Sequence, residues 1–232
     1  KFGVDLEMHT PRIPYRETVR GTAAAEYTHK KQTGGHGQFA RVVLEVSPLG
    51  RGEGVKFEDK TVGGVVPKQY VGSVEKGVNE GSAEGILAHF PMVDTKVKLV
   101  DGKEHPVDSS DIAFKIAASM ALKQATEDAQ PIILEPIMNM KITVPDSNTG
   151  DVISDLNGKR AHVSGMTPMG SMTTIDAQAP LSEVQHYSAD MRSLTQGRGF
   201  FSLEFSHYAE VPAHLAQKII DQALKDREAA RA

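Results

Sequence analysis

Residues 137–151 read Ile137-Met138-Asn139-Met140-Lys141-Ile142-Thr143-Val144-Pro145-Asp146-Ser147-Asn148-Thr149-Gly150-Asp151, and they decide the fold of the C-terminal half. The run to Val144 predicts a strand, and the Pro-Asp-Ser-Asn-Thr-Gly-Asp stretch behind it predicts a turn and the start of a helix. The pattern continues as a helix from Val152 to Leu156 and strands over residues 161–166 and 172–178 joined through Pro168-Met169-Gly170. A helix from Leu181 to Arg192 and a strand over residues 199–207 complete it. Strand, helix, strand, strand, helix, strand is the ferredoxin-like split βαβ order. After Pro212, Leu215, Ile219 and Ala223 form one stripe flanked by Ile220 and Leu224. A lone helix of that length is marginal in water, so it is expected to dock on another surface.

Toward the N-terminus the pattern changes. Val42, Leu44 and Val46 alternate with Arg41, Val43 and Glu45, which predicts a strand with one face on a core, preceded by a strand over residues 23–29. Between them Lys30-Lys31-Gln32-Thr33-Gly34-Gly35-His36-Gly37-Gln38 predicts a glycine-rich, polar hairpin tip. Residues 67–84 predict a helix with Tyr70, Val74 and Val78 on its core stripe and Gly85 as its stop. Residues 95–100 predict a strand closed by an Asp101-Gly102 turn. In Glu104-His105-Pro106-Val107-Asp108-Ser109-Ser110-Asp111, either Asp108 or Ser109 suits an N-cap, and the helix behind it carries Ile112, Ile116 and Met120 at core spacing. This half is therefore an α+β layer with two loop tips, around Gly35 and around His105. Gln32, His36, Gln38 and His105 offer groups suited to phosphates, 2′-hydroxyls and base edges. Residues 4–14 predict a strand and an extended linker through Pro11 and Pro14.

Composition narrows the chemistry. The 232 residues are enough for two domains, and the absence of cysteine excludes disulfides, thiolate metal sites and thiol nucleophiles, making a reducing cytoplasm the expected setting. With 26 basic and 30 acidic residues the formal charge is −4, which argues against a protein that coats nucleic acid indiscriminately. Basic residues gather over residues 20–41, at Lys159 and Arg160, and from Arg192 to Arg198. No apolar run approaches the roughly 18 to 20 residues that span a bilayer. The opening Lys1-Phe2-Gly3 carries no signal peptide and no initiator Met, so the chain reads as part of something longer. No phosphate-binding GxxxxGK[ST] loop, HExxH or GxSxG occurs, so no GTPase centre is expected here. The nine His residues never fall at helical metal-ligand spacing, so no metal site is expected. Glu183 with Asp190, and Asp108 with Asp111, fit helix-start and surface roles without acid-base work. Asn157, Lys159, Arg160 and Arg198 raise an alternative of another class, an acylphosphatase-like small enzyme, but no phosphate-cradling loop follows the first strand of that fold.

The motifs taken together resemble a family. Tyr15-Arg16-Glu17-Thr18-Val19, Gln32 to Phe39, Gly63-Gly64-Val65-Val66-Pro67-Lys68-Gln69-Tyr70, His105-Pro106-Val107-Asp108-Ser109-Ser110, Leu134-Glu135-Pro136-Ile137-Met138, Asn148-Thr149-Gly150-Asp151-Val152-Ile153, Pro180-Leu181-Ser182-Glu183 and Arg192-Ser193-Leu194-Thr195-Gln196-Gly197-Arg198 are similar, in order, to the C-terminal part of elongation factor G. The resemblance implies a ribosomal protein S5 domain 2-like domain IV over residues 15–131 and a ferredoxin-like domain V over residues 132–210. Residues 1–14 would be the remnant of domain III and a linker, and a C-terminal helix over residues 211–232 would dock back on domain IV. It further implies a cytoplasmic, monomeric, ribosome-binding arm that promotes GTP-dependent translocation of the tRNA–mRNA duplex from the A site. This chain would catalyse nothing and hold no cofactor, with GTP and Mg belonging to a GTPase domain elsewhere in the parent.

The contacts implied are Gln32, Gly34, Gly35, His36, Gly37 and Gln38 on one tip and His105, Asp108 and Ser109 on the other, with Lys159, Arg160, Arg192 and Arg198 of domain V on ribosomal RNA. His36 stands where the family usually has Arg, Pro106 where Asp is common, and Lys159-Arg160-Ala161 where Arg-Arg-Gly is usual. These departures point to a divergent paralogue, with recycling of ribosomes or protection from tetracycline as alternative roles.

Overall fold

A computed structural model describes residues 11–32 and 37–230. The strand expected within residues 4–10 and the tip residues Gly34, Gly35 and His36 lie outside the described residues, and residues 11–15 carry no regular structure. The chain divides into two compact units. The larger joins Tyr15–Leu134 to Glu210–Ala232, and the smaller joins the described part of Lys1–Pro14 to Glu135–Ala209.

In the larger unit a short strand, β1 (Arg16–Val19), precedes the hairpin β2 (Ala23–Lys31) and β3 (Gln38–Pro48). Then come β4 (Val55–Asp59), α1 (Lys68–Glu84), β5 (Thr95–Lys103) and α2 (Asp111–Asp128). The sheet order is β2-β3-β5-β4, antiparallel except for the parallel pair β4 and β5. As the alternation predicts, Val42, Leu44 and Val46 are fully buried, sharing a core with Val97, Leu99, Val74, Val78 and Phe114. Helix α1 stops at Gly85, whose φ is 76° and where a Cβ would lie 2.2 Å from the Phe90 carbonyl oxygen, so no other residue ends the helix this way.

The structure departs from the sequence reading at three places here. Asp101-Gly102 is not a turn: β5 runs on to Lys103 because β3 extends alongside it, and a bulge between Val43 and Leu44 absorbs the extra residue. Helix α2 is capped by Ser110, which accepts from the Ala113 N–H at 3.2 Å, and not by Asp108 or Ser109, whose side chains are engaged elsewhere. The core stripe of α2 is Ala113, Phe114, Ala117, Ala118, Ala121, Leu122 and Ala125, whereas Ile112 is 63% exposed. Small alanines let one helix lie close to both the sheet and α1, which isoleucines cannot do.

The same unit holds a second, smaller core. β1 pairs with the first residues of β6 (Pro131–Pro145), from Arg16 opposite Leu134 to Val19 opposite Pro131. Leu215, Ala216, Ile219, Ile220 and Ala223 of the C-terminal helix pack with Tyr15, Leu87, Phe90 and Ile133. That helix spans Ala213–Ala229 and is α6 below. In the same unit the Glu17 carboxylate, fully buried, accepts four backbone N–H groups: Ile86 at 2.7 Å, Leu87 at 2.8 Å, Ala88 at 2.7 Å and Phe90 at 3.0 Å.

In the smaller unit β6 from Ile137 onward is followed by a 3-10 turn, α3 (Thr149–Gly158), β7 (His162–Met169), β8 (Met172–Pro180), α4 (Leu181–Val184), α5 (Tyr187–Thr195) and β9 (Phe200–Glu210). The order β9-β6-β8-β7 is the ferredoxin-like sheet. Met140, Ile142, Val144, Ile175, Val152, Leu156, Tyr187 and Met191 form its core. The helix expected over residues 181–192 is two helices, because His186, at φ −110° and ψ 19°, interrupts it. Pro168 and Met169 belong to β7, opposite Thr173 and Met172, so the turn is Gly170-Ser171.

Candidate nucleic-acid interface

One end of the larger unit collects its loops. Pairing of Lys31 with Gln38 and of Arg41 with Lys103 brings the β2–β3 connection beside the segment that leaves β5. Because β4 is parallel to β5, residues 60–67 depart at this same end. Tyr70 Oη donates to the Ser109 carbonyl at 3.3 Å and Ser73 Oγ donates to Asp111, so the start of α1 belongs to this end too.

The 104–110 loop is held by bonds among its own groups and by bonds to Gly37, Phe39 and Tyr70. His105 Nδ1 accepts from the N–H groups of Val107, at 3.3 Å, and Asp108, at 3.2 Å. An imidazole nitrogen that accepts carries no proton, so in this arrangement the ring N–H is on Nε2, with Asp108 Oδ2 lying 3.5 Å from Nδ1. That side chain is 49% exposed. Ser109 Oγ accepts from the His105 N–H at 2.9 Å and donates to the Phe39 carbonyl at 2.7 Å. The Phe39 and His105 rings lie 6.1 Å apart, tilted. Asp108 crosses to the other loop: its Oδ1 accepts from the Gly37 N–H at 3.1 Å, and its carbonyl accepts from Phe39 N–H at 2.8 Å.

The remaining sequence-predicted residues of the first loop divide. Gln32 is exposed, whereas Gln38 is half-buried and its Oε1 accepts from His29 Nε2 at 2.8 Å. Sequence reasoning missed residues 60–67 as part of this end. Val62 there is 82% exposed, and Gly63 and Gly64 both take φ 71°. The signal that places this loop is the parallel β4–β5 pairing, which no local pattern reveals.

Much of the charge on the outer sheet face is paired. Arg41 donates to Asp101 at 2.8 Å and to Glu26 at 2.6 Å, Lys98 to Glu45 at 2.7 Å, and Lys96 to Glu58 at 2.8 Å. Hydrogen bonding to Arg41 holds Glu26 and Asp101 below the ordinary carboxylate range, and the bond to Lys96 does the same for Glu58.

The four basic candidates of the smaller unit divide as well. Arg160 makes a two-pronged pair with Glu135, at 2.6 and 3.0 Å, and donates to Glu183 at 2.8 Å. These bonds, with Glu135 foremost, raise the guanidinium's pKa against the effect of burial. Lys159 sits between Asp190, at 3.1 Å, and Asp155, at 3.4 Å. Burial would lower its pKa, but the two carboxylates outweigh it and the net shift is upward. Arg192 is exposed and has no ion-pair partner among the described residues, while exposed Arg198 donates only to the Thr195 carbonyl, at 3.3 Å. No described helix is long and apolar enough to cross a membrane.

Comparison with known proteins completes the picture. The family model described as elongation factor G, domain IV, matches residues 11–130, and that described as elongation factor G C-terminus matches residues 132–219. An elongation factor G from Aquifex pyrophilus is 47% identical over 224 residues, covering 97% of this chain and 32% of the relative. An elongation factor G-like protein from Thermotoga maritima is 46% identical over 228 residues, covering 98% of this chain and 33% of the relative. A crystal structure from Thermus thermophilus superposes with a TM-score of 0.84 at 43% identity, over 94% of this chain and 33% of that one. The chain thus spans about a third of the length of the proteins it matches.

Proposed function

The chain belongs to the elongation factor G family, and we propose that it is the ribosome-engaging arm of a translation factor that promotes GTP-dependent movement of the tRNA–mRNA duplex. In this reading residues 15–131 are domain IV, entering the A site with the 32–38 and 104–110 loops foremost. Residues 132–210 are domain V, and residues 211–232 are a helix returned to domain IV. The GTPase, with its GTP and Mg, belongs to the remainder of a longer, monomeric, cytoplasmic parent. The work of this part is positional: it makes no bond and presents groups to sugar and phosphate, which fix register without reading sequence.

One observation carries the reading. His105 spends Nδ1 on two backbone N–H groups, which leaves Nε2–H on a half-exposed ring as a donor to an acceptor such as phosphate or a 2′-hydroxyl. The acylphosphatase-like alternative would need Arg160 for a phosphate, but that guanidinium is held by Glu135 and Glu183. Within the family a paralogue specialised for recycling or tetracycline protection is the second reading, favoured by His36, Pro106 and Lys159-Arg160-Ala161.

The experiment is co-sedimentation of the chain with 70S ribosomes over a salt series, native against a His36→Ala, His105→Ala double variant. Salt-sensitive binding weakened in the variant supports the arm, and no binding at low salt counts against it. In the full-length parent, His105→Ala is expected to slow translocation more than it weakens ribosome binding, since one contact is a small share of a large interface. Equal losses in rate and affinity would sink that expectation.

A further inference from the structure

We propose that Asp108 is a positioning residue: it fastens residues 37–39, at the start of β3, to the 104–110 loop and does not itself touch the ribosome. The proposal rests, for its functional half, on the ribosome-engaging reading above. Three groups of this one residue are committed inward. Oδ1 accepts from Gly37 N–H at 3.1 Å, the carbonyl accepts from Phe39 N–H at 2.8 Å, and its own N–H donates to His105 Nδ1 at 3.2 Å. Ser109 adds a parallel tie, with Oγ bridging His105 N–H and the Phe39 carbonyl. Residues 37–39 and the 104–110 loop are therefore tied at several points, and His105 is oriented by the same residue that grips Gly37.

Two further arguments favour fastening over contact. A Cβ on residue 37 would lie 2.8 to 3.0 Å from the Asp108 carboxyl atoms, so Gly37 is glycine because the carboxylate occupies that space. A carboxylate at a surface that meets phosphates is also electrostatically adverse. Its presence there is explained by the backbone N–H it holds, a charge-assisted bond stronger than a neutral one. Only 29% of the side chain is exposed.

The test uses Asp108→Ala, Asp108→Asn, Gly37→Ala and the Asp108→Ala, Gly37→Ala double variant, with two readouts. The first is hydrogen exchange of the Gly37 and Phe39 amides in the free chain by NMR, and the second is 70S ribosome affinity. Asp108→Ala is expected to speed Gly37 exchange on the order of tenfold, as for one lost hydrogen bond to a charged group, and to weaken ribosome binding several-fold although it removes a negative charge. Asp108→Asn retains an acceptor oxygen and should recover most of both. Gly37→Ala should behave like Asp108→Ala, and the double variant should lose no more than either single, since the two share one interaction.

Unchanged Gly37 exchange in Asp108→Ala overturns the proposal, as does equal or tighter ribosome binding. Asp108→Asn with native Gly37 exchange but ribosome binding as weak as that of Asp108→Ala would make Asp108 a contact and overturn it also. If the native chain fails to bind ribosomes, the ribosome-engaging reading falls, and the fastening stands or falls on Gly37 exchange alone.

Discussion

Glu17→Gln tests how a carboxylate with no cation partner among the described residues is kept inside the larger unit. Glu17 is fully buried, and its two oxygens share four backbone N–H donors, Oε2 taking Ile86 and Leu87 and Oε1 taking Ala88 and Phe90. An ionised carboxylate accepts on both oxygens, whereas glutamine is a donor on one side. The amide NH2 of the variant therefore faces two N–H groups, so two bonds to a charged acceptor are lost and two donors are orphaned. Bonds to charged groups contribute about 1.5–3 kcal/mol each, and relief of the buried charge offsets part of that, leaving a cost of roughly 3 kcal/mol. For a unit of this size that corresponds to a midpoint lowered by about 10 °C. The assay is urea and thermal unfolding by circular dichroism, with hydrogen exchange at residues 86, 87, 88 and 90. Leu87 and Phe90 share a small core with the apolar residues of α6, so exchange should also quicken at the start of that helix. A cost under about 1 kcal/mol, or unchanged exchange at those amides, would refute the reasoning, because it would mean the N–H groups find other partners without penalty.

In the smaller unit, Arg160→Met leaves Glu135, with a side chain 3% exposed, as an unpaired buried carboxylate. The expected loss is about 3–5 kcal/mol by urea unfolding, and Arg160→Lys should recover little of it because an ammonium cannot make the two-pronged pair. His89→Gly should stabilise the larger unit, since His89 holds φ 62° and its Nδ1 is buried without a partner. Relief of that left-handed strain, less the entropy of glycine, is worth about 0.5–1 kcal/mol in the same assay. Acid should loosen the outer sheet face. The folded pKa values of Glu26, Glu58 and Asp101 lie below their ordinary 4.5, 4.5 and 3.8, so their contribution is whole above those values and is lost as pH falls through the depressed ones. Urea midpoints measured from neutral pH downward should drop through that acid window, and Arg41→Met should flatten the drop.

Local pattern was legible where burial alternates simply. β3 shows its core face in Val42, Leu44 and Val46, and the βαββαβ order is readable from periodicity and turn residues. What failed was any reading that needed a partner distant in the chain. Ile112 and Ile116 outweigh alanine in apolarity, yet Ala113, Ala117 and Ala121 are buried because close packing rewards small side chains. Asp101-Gly102 carries a strong turn signal that the continuing β3 overrides. β4 went unread because five residues that pair in parallel with a strand 40 positions later leave no local mark. At the candidate site, motif resemblance located both loops, but Asp108 presents itself in sequence as a helix cap and a contact. Its partner Gly37 lies 71 residues away, so only the folded chain reveals the tie.

The division among the basic residues bears on how such an arm could hold RNA at all. With a formal charge of −4, Arg41, Lys96, Lys98, Lys159 and Arg160 are each bound to a carboxylate of their own unit, whereas exposed Lys30, Lys31, Lys103 and Arg192 have no ion-pair partner among the described residues. Affinity built on counterion release grows with the number of phosphates neutralised. Cations of either sort act at a distance, so register depends on donors held in place beforehand, because ordering them at the moment of binding would cost entropy. The loop at His105 meets that requirement: its imidazole, its Ser109 hydroxyl and its aspartate are all bonded within the chain, which leaves Nε2–H of a half-exposed ring as a donor held in place. In the proposed arm, then, unpaired cations would supply attraction to phosphates, felt as salt dependence, and the internal bonding of the 104–110 loop would fix where that attraction acts.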